Sequence, residues 1–177
     1  MIDHPFLRTA SWLVAAGLAA AGAYAITVAT VKGAVLLGLA VLGGAALHFQ
    51  RALPSGIMLL LIVAATVNAA GYIVGLWHER TMFDEIVHAF TTFAGMTALI
   101  WLATRDGRLL HGASALSIVV SALFGGLILG LVWEGIEWAI GIIGDRRDTL
   151  VDLAMDSLGA VTAGLLFTGF RTRRAPV

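Results

Sequence analysis

Apolar residues along the chain fall into six long stretches, at 11–30, 34–49, 57–77, 84–104, 115–143 and 149–170. A helix needs about 20 mostly apolar residues to cross a hydrocarbon core of roughly 30 Å. The second stretch is short and holds His48 near its end, whereas the fifth is long enough to tilt or to extend past the bilayer. Ala, Gly, Val and Leu run continuously in these stretches. They do not alternate with polar residues, so the pattern predicts helices and not barrel strands. A helix also satisfies its own backbone polar groups, which lipid cannot do. The expected fold is all-α: a polytopic integral membrane protein with a six-transmembrane-helix bundle, forming one domain over residues 1–177. Only Gln50–Gly56 and Arg105–Ala113 resemble true loops. The first stretch reads as a retained helix, because it has span length and lacks a clear small-residue cleavage site before a polar start.

Composition sharpens this picture. The chain is 59% hydrophobic and 12% charged, with a mean hydropathy of +0.93. Soluble domains carry about a quarter charged residues, so a soluble globule is a poor fit. There is no cysteine, which excludes disulfides, thiolate metal sites and a cysteine nucleophile. The formal net charge is zero, which leaves no basic arm for nucleic acid. No P-loop, dinucleotide fingerprint or serine-hydrolase elbow stands where it would need to.

The zero is a sum of two unlike halves. Six alternating spans put Arg8, Arg51, Arg105, Arg108, Arg171, Arg173 and Arg174 on one side, with only Asp3 and Asp106. The other side holds Lys32, Arg80, Arg146 and Arg147 beside nine acidic residues. The two sides therefore carry +5 and −5. By the positive-inside rule, both termini are expected in the cytoplasm.

Three segments carry the acidic residues. FDEIVHAF places Asp84 and His88 four residues apart, WEGIEW places Glu134 and Glu137 three apart, and DTLVDLAMDSLGA places Asp148, Asp152 and Asp156 at successive fours. Spacings of three and four put side chains on one helix face. At about 1.5 Å of rise per residue, the start of the fourth stretch, the end of the fifth and the start of the sixth converge within one leaflet. A charge near the bilayer centre costs about 2.5–3.5 kcal/mol on insertion scales, so such residues are normally paired, protonated or functional.

Asp145 and Glu85 read most simply as a loop residue and a cap residue. Asp148 is favourable at a helix start, and Asp84 and Asp148 fit either a capping role or the mouth of a site. Glu134, Glu137, Asp152 and Asp156 lie too deep in apolar sequence for capping. The expected metal ligands are Asp84, His88, Glu134, Glu137, Asp148, Asp152 and Asp156, with His88 and Glu137 as candidate catalytic acid/base groups. The cofactor this set implies is a divalent metal ion: Mg²⁺, Mn²⁺, Ca²⁺ or Fe²⁺ suit carboxylates with one imidazole, and Zn²⁺ suits His88 with two carboxylates. No Glu-x-x-His pair is present for a ferritin-like di-iron site. Shared protons in a relay, or pairing with Arg80, Arg146 or Arg147, would also hold carboxylates together. Trp77 and Trp138 read as interfacial anchors, and Trp133 and Trp138 flank the two glutamates. His78 and Glu79 end the third stretch on the acidic side, where they read as interfacial residues more readily than as rim ligands. Gly126 with Gly130, and Ala160 with Gly164, have the small-xxx-small spacing of closely packed helices.

Taken together, Asp84–His88, Trp133–Glu137 and Asp148–Ala160 resemble the YjdF-like family of bacterial inner-membrane proteins, over roughly residues 57–170. There is a looser similarity to VanZ-like membrane proteins, which also pair an Asp/His helix with a late Asp-rich helix ending in Gly-Ala. The resemblance implies a multi-pass protein of the bacterial inner (cytoplasmic) membrane and brings no activity with it. The function expected from the residues is an acidic intramembrane site, open to the non-cytoplasmic face, that binds a divalent cation. Membrane lipids are its natural partners, and a lipid or lipid-linked molecule is its natural substrate. The alternatives are a cation or proton transporter using the same carboxylates, and a non-catalytic membrane assembly or stress protein.

Overall fold

A computed structural model describes residues 5–28, 53–74, 82–105, 109–140 and 145–172. The described residues form five helices and no strand: α1 (Pro5–Val28), α2 (Ser55–Val74), α3 (Phe83–Thr104), α4 (Ala115–Ile140) and α5 (Arg146–Thr172). The expected span at 34–49, together with Lys32, Trp77, His78, Glu79 and Arg80, lies outside the described residues. The chain divides into two compact units, Met1–Phe83 and Asp84–Val177.

In the first unit α1 packs on α2, and Met58 and Ile62 meet Val14 and Leu53. Pro5 opens α1, where its missing N–H costs no helical hydrogen bond and its fixed φ already suits a helix. Thr66, halfway along α2, turns its hydroxyl back to the Ile62 carbonyl.

The second unit is built from α3, α4 and α5. All three are long and apolar enough to cross a membrane, and Ser55–Asn68 in the first unit is a shorter apolar helix. Local chemistry fixes their ends. Asp84 and Glu85 sit in the first turn of α3, where negative charge meets the positive end of the helix dipole. The α3–α4 turn folds back on α3: Leu110 N donates to the Ala103 carbonyl at 2.7 Å, and His111 Nδ1 donates to the Thr104 carbonyl at 3.3 Å. Gly112, at φ 75°, supplies the left-handed residue this turn requires. Ser114 caps α4 by accepting from the Ser117 backbone N–H at 3.1 Å. Asp145 caps α5, accepting from the Arg147 N–H at 2.9 Å. This moves the start of α5 three residues ahead of the expected 149 and puts Asp148 inside the first turn.

Packing in this unit is inverted relative to a soluble domain. Large apolar side chains such as Phe124, Ile128, Leu131, Leu158, Leu165 and Phe170 point outward. The buried polar residues include His88, Glu134, Glu137, Asp152 and Asp156. Water would penalise that outward surface, and lipid does not. Away from the acidic end, the three helices close on an apolar core of Met96, Ile100, Ile118, Ala122, Ala160 and Ala163. Two glycines set the spacing. A Cβ at Gly126 would overlap that of Ala160, and one at Gly159 would overlap the Ala89 backbone. The α4–α5 approach at Gly126, Ala160 and Gly164 follows the small-xxx-small spacing. The α3–α5 contact at Gly159 was not legible in that way.

Candidate metal centre

The chemistry gathers where α3 and α5 begin and α4 ends. Asp84, His88 and Thr92 follow one another at four-residue intervals on α3. Glu134 and Glu137 project from the last turns of α4, and Asp152 and Asp156 from the first half of α5. His88, Glu134, Glu137, Asp152 and Asp156 are each 5% exposed or less, and Asp84 is half-buried at the rim. The convergence expected from helix register is thus present within one unit.

Two groupings of ligand-capable atoms share His88. Asp84, His88 and Asp152 form one, and His88, Glu134 and Glu137 form the other; within each, one atom per residue lies within 4.8 Å of the others. The imidazole is held between two carboxylates. Its Nε2 faces Asp84 Oδ1 at 3.6 Å, and its Nδ1 lies 3.4 Å from each oxygen of Asp156. Asp156 is fixed in turn by Thr92, whose hydroxyl donates to Oδ1. Gly130 leaves the space this carboxylate occupies, since a Cβ there would overlap Asp156 Oδ2.

Glu134 stands apart in its hydrogen bonding. It is 2% exposed, and neither carboxylate oxygen has a hydrogen-bond partner. Asp152 Oδ2 is in the same condition. A buried polar atom without a partner costs about 1–3 kcal/mol, and more when charged. Buried charges are normally paired, hydrogen-bonded or bound to a metal.

Among the expected ligands, Asp84, His88, Glu134, Glu137 and Asp152 fall within the two groupings. Asp156 lies beside them but engages His88 Nδ1 and Thr92. Asp148 is exposed on the first turn of α5, outside both groupings, and reaches Asp84 and Asp152 only as a neighbouring charge. Trp133 hydrogen-bonds Glu137 one turn further on. Trp138 is exposed and donates its indole N–H to Thr149 Oγ1 at 3.1 Å, tying the end of α4 to the start of α5. Thr92 was not singled out from the sequence, although it continues the four-residue interval of Asp84 and His88. Gly130 was read there only as a packing residue.

The Thr92–Asp156–His88 chain suits a carboxylate that holds an imidazole for a ligand on its other nitrogen. Removing such a support costs 10–100-fold in metal affinity. Asp156→Asn, which keeps the shape and one acceptor, is expected to weaken metal binding on the order of tenfold while the protein stays folded. Calorimetric titration of the purified variant with Mn²⁺ checks this, and an unchanged affinity would remove Asp156 from that role.

The family described as predicted membrane protein (DUF2238) matches residues 6–173. No curated protein and no solved structure matches the chain.

Proposed function

We propose, for a chain that belongs to the DUF2238 family of predicted membrane proteins, that the acidic end of α3, α4 and α5 is an intramembrane divalent-cation site. Asp84, His88 through Nε2, Glu134, Glu137 and Asp152 are its ligands. Asp156 and Thr92 orient the imidazole, and Asp148 is a charge at the mouth. The observation that carries this reading is Glu134: a fully buried carboxylate, both oxygens without a partner, grouped with His88 and Glu137. Oxygen donors with a single imidazole favour Mg²⁺, Mn²⁺, Ca²⁺, Fe²⁺ or Zn²⁺ over soft metals.

The finer topology belongs to the same proposal. It comprises six spans, a bacterial inner-membrane location in line with the YjdF-like resemblance, cytoplasmic termini and a site opening on the non-cytoplasmic face. The mouth supports a lipid or lipid-linked substrate, because exposed apolar side chains (Ile86, Trp138 and Leu150) stand there beside the exposed charges of Asp145, Arg146, Arg147 and Asp148. A bound ion supplies Lewis acidity to an oxygen of such a substrate, and Glu137, positioned by Trp133, is the candidate acid/base group. The apolar core from Met96 to Ala163 fills the bundle beyond the site, which favours a site closed on that side over a permeation path.

Elemental analysis of the purified chain tests the proposal. Near-stoichiometric divalent metal, or uptake of one on titration of metal-stripped protein, is the expected result. A folded wild type that neither contains nor takes up any of these ions would overturn it.

A further inference from the structure

The other end of the second unit carries a cavity of the opposite sign. It measures about 450 Å³ and is lined by Trp101, Thr104, Arg105, His111, Phe167 and Arg171. Among the described residues, no acidic residue lines it. Asp84 and Arg105 are 21 residues apart along the α3 direction, which at about 1.5 Å per residue is about 30 Å, the thickness of a hydrocarbon core. The cavity therefore sits at the membrane face opposite the acidic site.

Its lining repeats one arrangement on two helices. Trp101 precedes Arg105 by four residues, and Phe167 precedes Arg171 by four. Residues four apart share a helix face, so each aromatic ring lies one turn, about 6 Å, deeper into the membrane than its arginine. His111, from the Gly112 turn, joins the arginines at the mouth. Arg171 is anchored there by donating from Nη1 to the Ala113 carbonyl at 3.4 Å. Guanidinium groups are matched to phosphate oxygens by charge and by their planar fork of donors. Aromatic rings one turn deeper offer an apolar wall to whatever the phosphate is attached to. The volume falls within the range of pockets that enclose organic ligands, about 300–1,000 Å³. A free phosphate would use only the polar rim.

We propose that this cavity binds the phosphate headgroup of an anionic phospholipid from the leaflet facing Arg105 and Arg171, with Trp101 and Phe167 against the start of the acyl region. Basic pockets between transmembrane helices are suited to such headgroups. The site is separate from the acidic one and does not depend on the metal reading.

The test uses the full chain in a neutral detergent, with thermal unfolding as the readout. Phosphatidylglycerol is expected to raise the midpoint on the order of 5 °C at saturation, by preferential binding to the folded state. Phosphatidylcholine and inorganic phosphate are expected to give little. Arg105→Gln/Arg171→Gln should lose most of the shift, while Arg146→Gln/Arg147→Gln, at the opposite end of α5, should keep it. Equal stabilisation by phosphatidylglycerol and phosphatidylcholine would overturn the proposal on the wild type alone. So would a full shift with inorganic phosphate, or equal losses in the two double variants. Should Arg105→Gln/Arg171→Gln not fold, the conservative Arg105→Lys/Arg171→Lys pair replaces it. That pair is expected to weaken the shift, because it retains charge but loses the fork.

Discussion

Glu134→Gln is expected to lower divalent-metal affinity by more than about 100-fold, beyond the 10–100-fold cost of removing a group that merely supports a ligand. The substitution keeps the shape of the side chain and removes its charge. Two consequences of opposite sign follow. The metal-dependent rise in unfolding midpoint disappears, because that rise is set by preferential binding to the folded state. The metal-free protein becomes as stable as the wild type or more stable, because a buried carboxylate with no partner on either oxygen has been neutralised. Thermal unfolding of both proteins, with and without excess Mn²⁺, reads both effects. A structural Glu134 would behave otherwise: the variant would lose stability without metal, and metal would act on both proteins alike. Asp152→Asn should follow Glu134→Gln in direction, since one Asp152 oxygen is also without a partner and the residue belongs to the grouping around Asp84.

Gly159→Ala is expected to be the most damaging of the small substitutions in the second unit. A Cβ at Gly159 would overlap the Ala89 carbonyl oxygen, and it would come within 2.9 Å of the Ala89 carbonyl carbon and 3.0 Å of the Phe93 nitrogen. All three atoms are backbone, so no rotamer change relieves the contact and α3 must move away from α5. Overpacking of this kind costs about 1–3 kcal/mol. Alanine regains up to about 1 kcal/mol of helix propensity, which is the smaller term. At about 2–4 °C per kcal/mol for a chain of this size, the midpoint should fall on the order of 5 °C. Two glycines serve as internal comparisons. Gly125→Ala meets only the mobile end of Met96, and Gly135→Ala meets nothing within 4 Å. The first should be near neutral, and the second neutral or stabilising. Gly159→Ala should also weaken metal binding, because His88 is next to Ala89 and Asp156 is one turn before Gly159. A loss of stability at Gly135 equal to that at Gly159 would mean that helix spacing is not what Gly159 protects.

Much of the second unit could be read one helix at a time. Continuous apolar runs predict α3, α4 and α5 close to their observed bounds, because lipid leaves few alternatives to a helix for a run of that length. Within the second unit, the largest error at a helix start is in α5. Asp145, and not Asp148, supplies the cap, and from sequence either aspartate was chemically suitable. The three acidic stripes were legible because spacings of three and four survive any rigid rotation of a helix.

What sequence could not separate was the role of each carboxylate within its stripe. Asp152 and Asp156 are one turn apart and chemically identical, yet one belongs to a ligand grouping and the other grips His88 Nδ1. Thr92 went unnoticed because a lone threonine in an apolar helix usually bonds to its own backbone, as Thr97 does to Phe93. Its partner lies 64 residues away, on α5. The basic cavity was missed for a related reason. Trp101, Arg105, Phe167 and Arg171 look like ordinary helix-end residues until α3 and α5 are set side by side.

For the second unit, the sequence by itself therefore determined that three segments are helical, that their outward surfaces suit lipid, and that the acidic stripes share one end. These follow from local hydropathy and from the 3.6-residue period. Only the tertiary structure decided which nitrogen of His88 faces which carboxylate, that Glu134 is buried without a partner, and that two aromatic–arginine pairs line one open cavity. Those features depend on the rotation and separation of neighbouring helices, set by close contacts at Gly126, Gly130 and Gly159 with residues far apart in the chain.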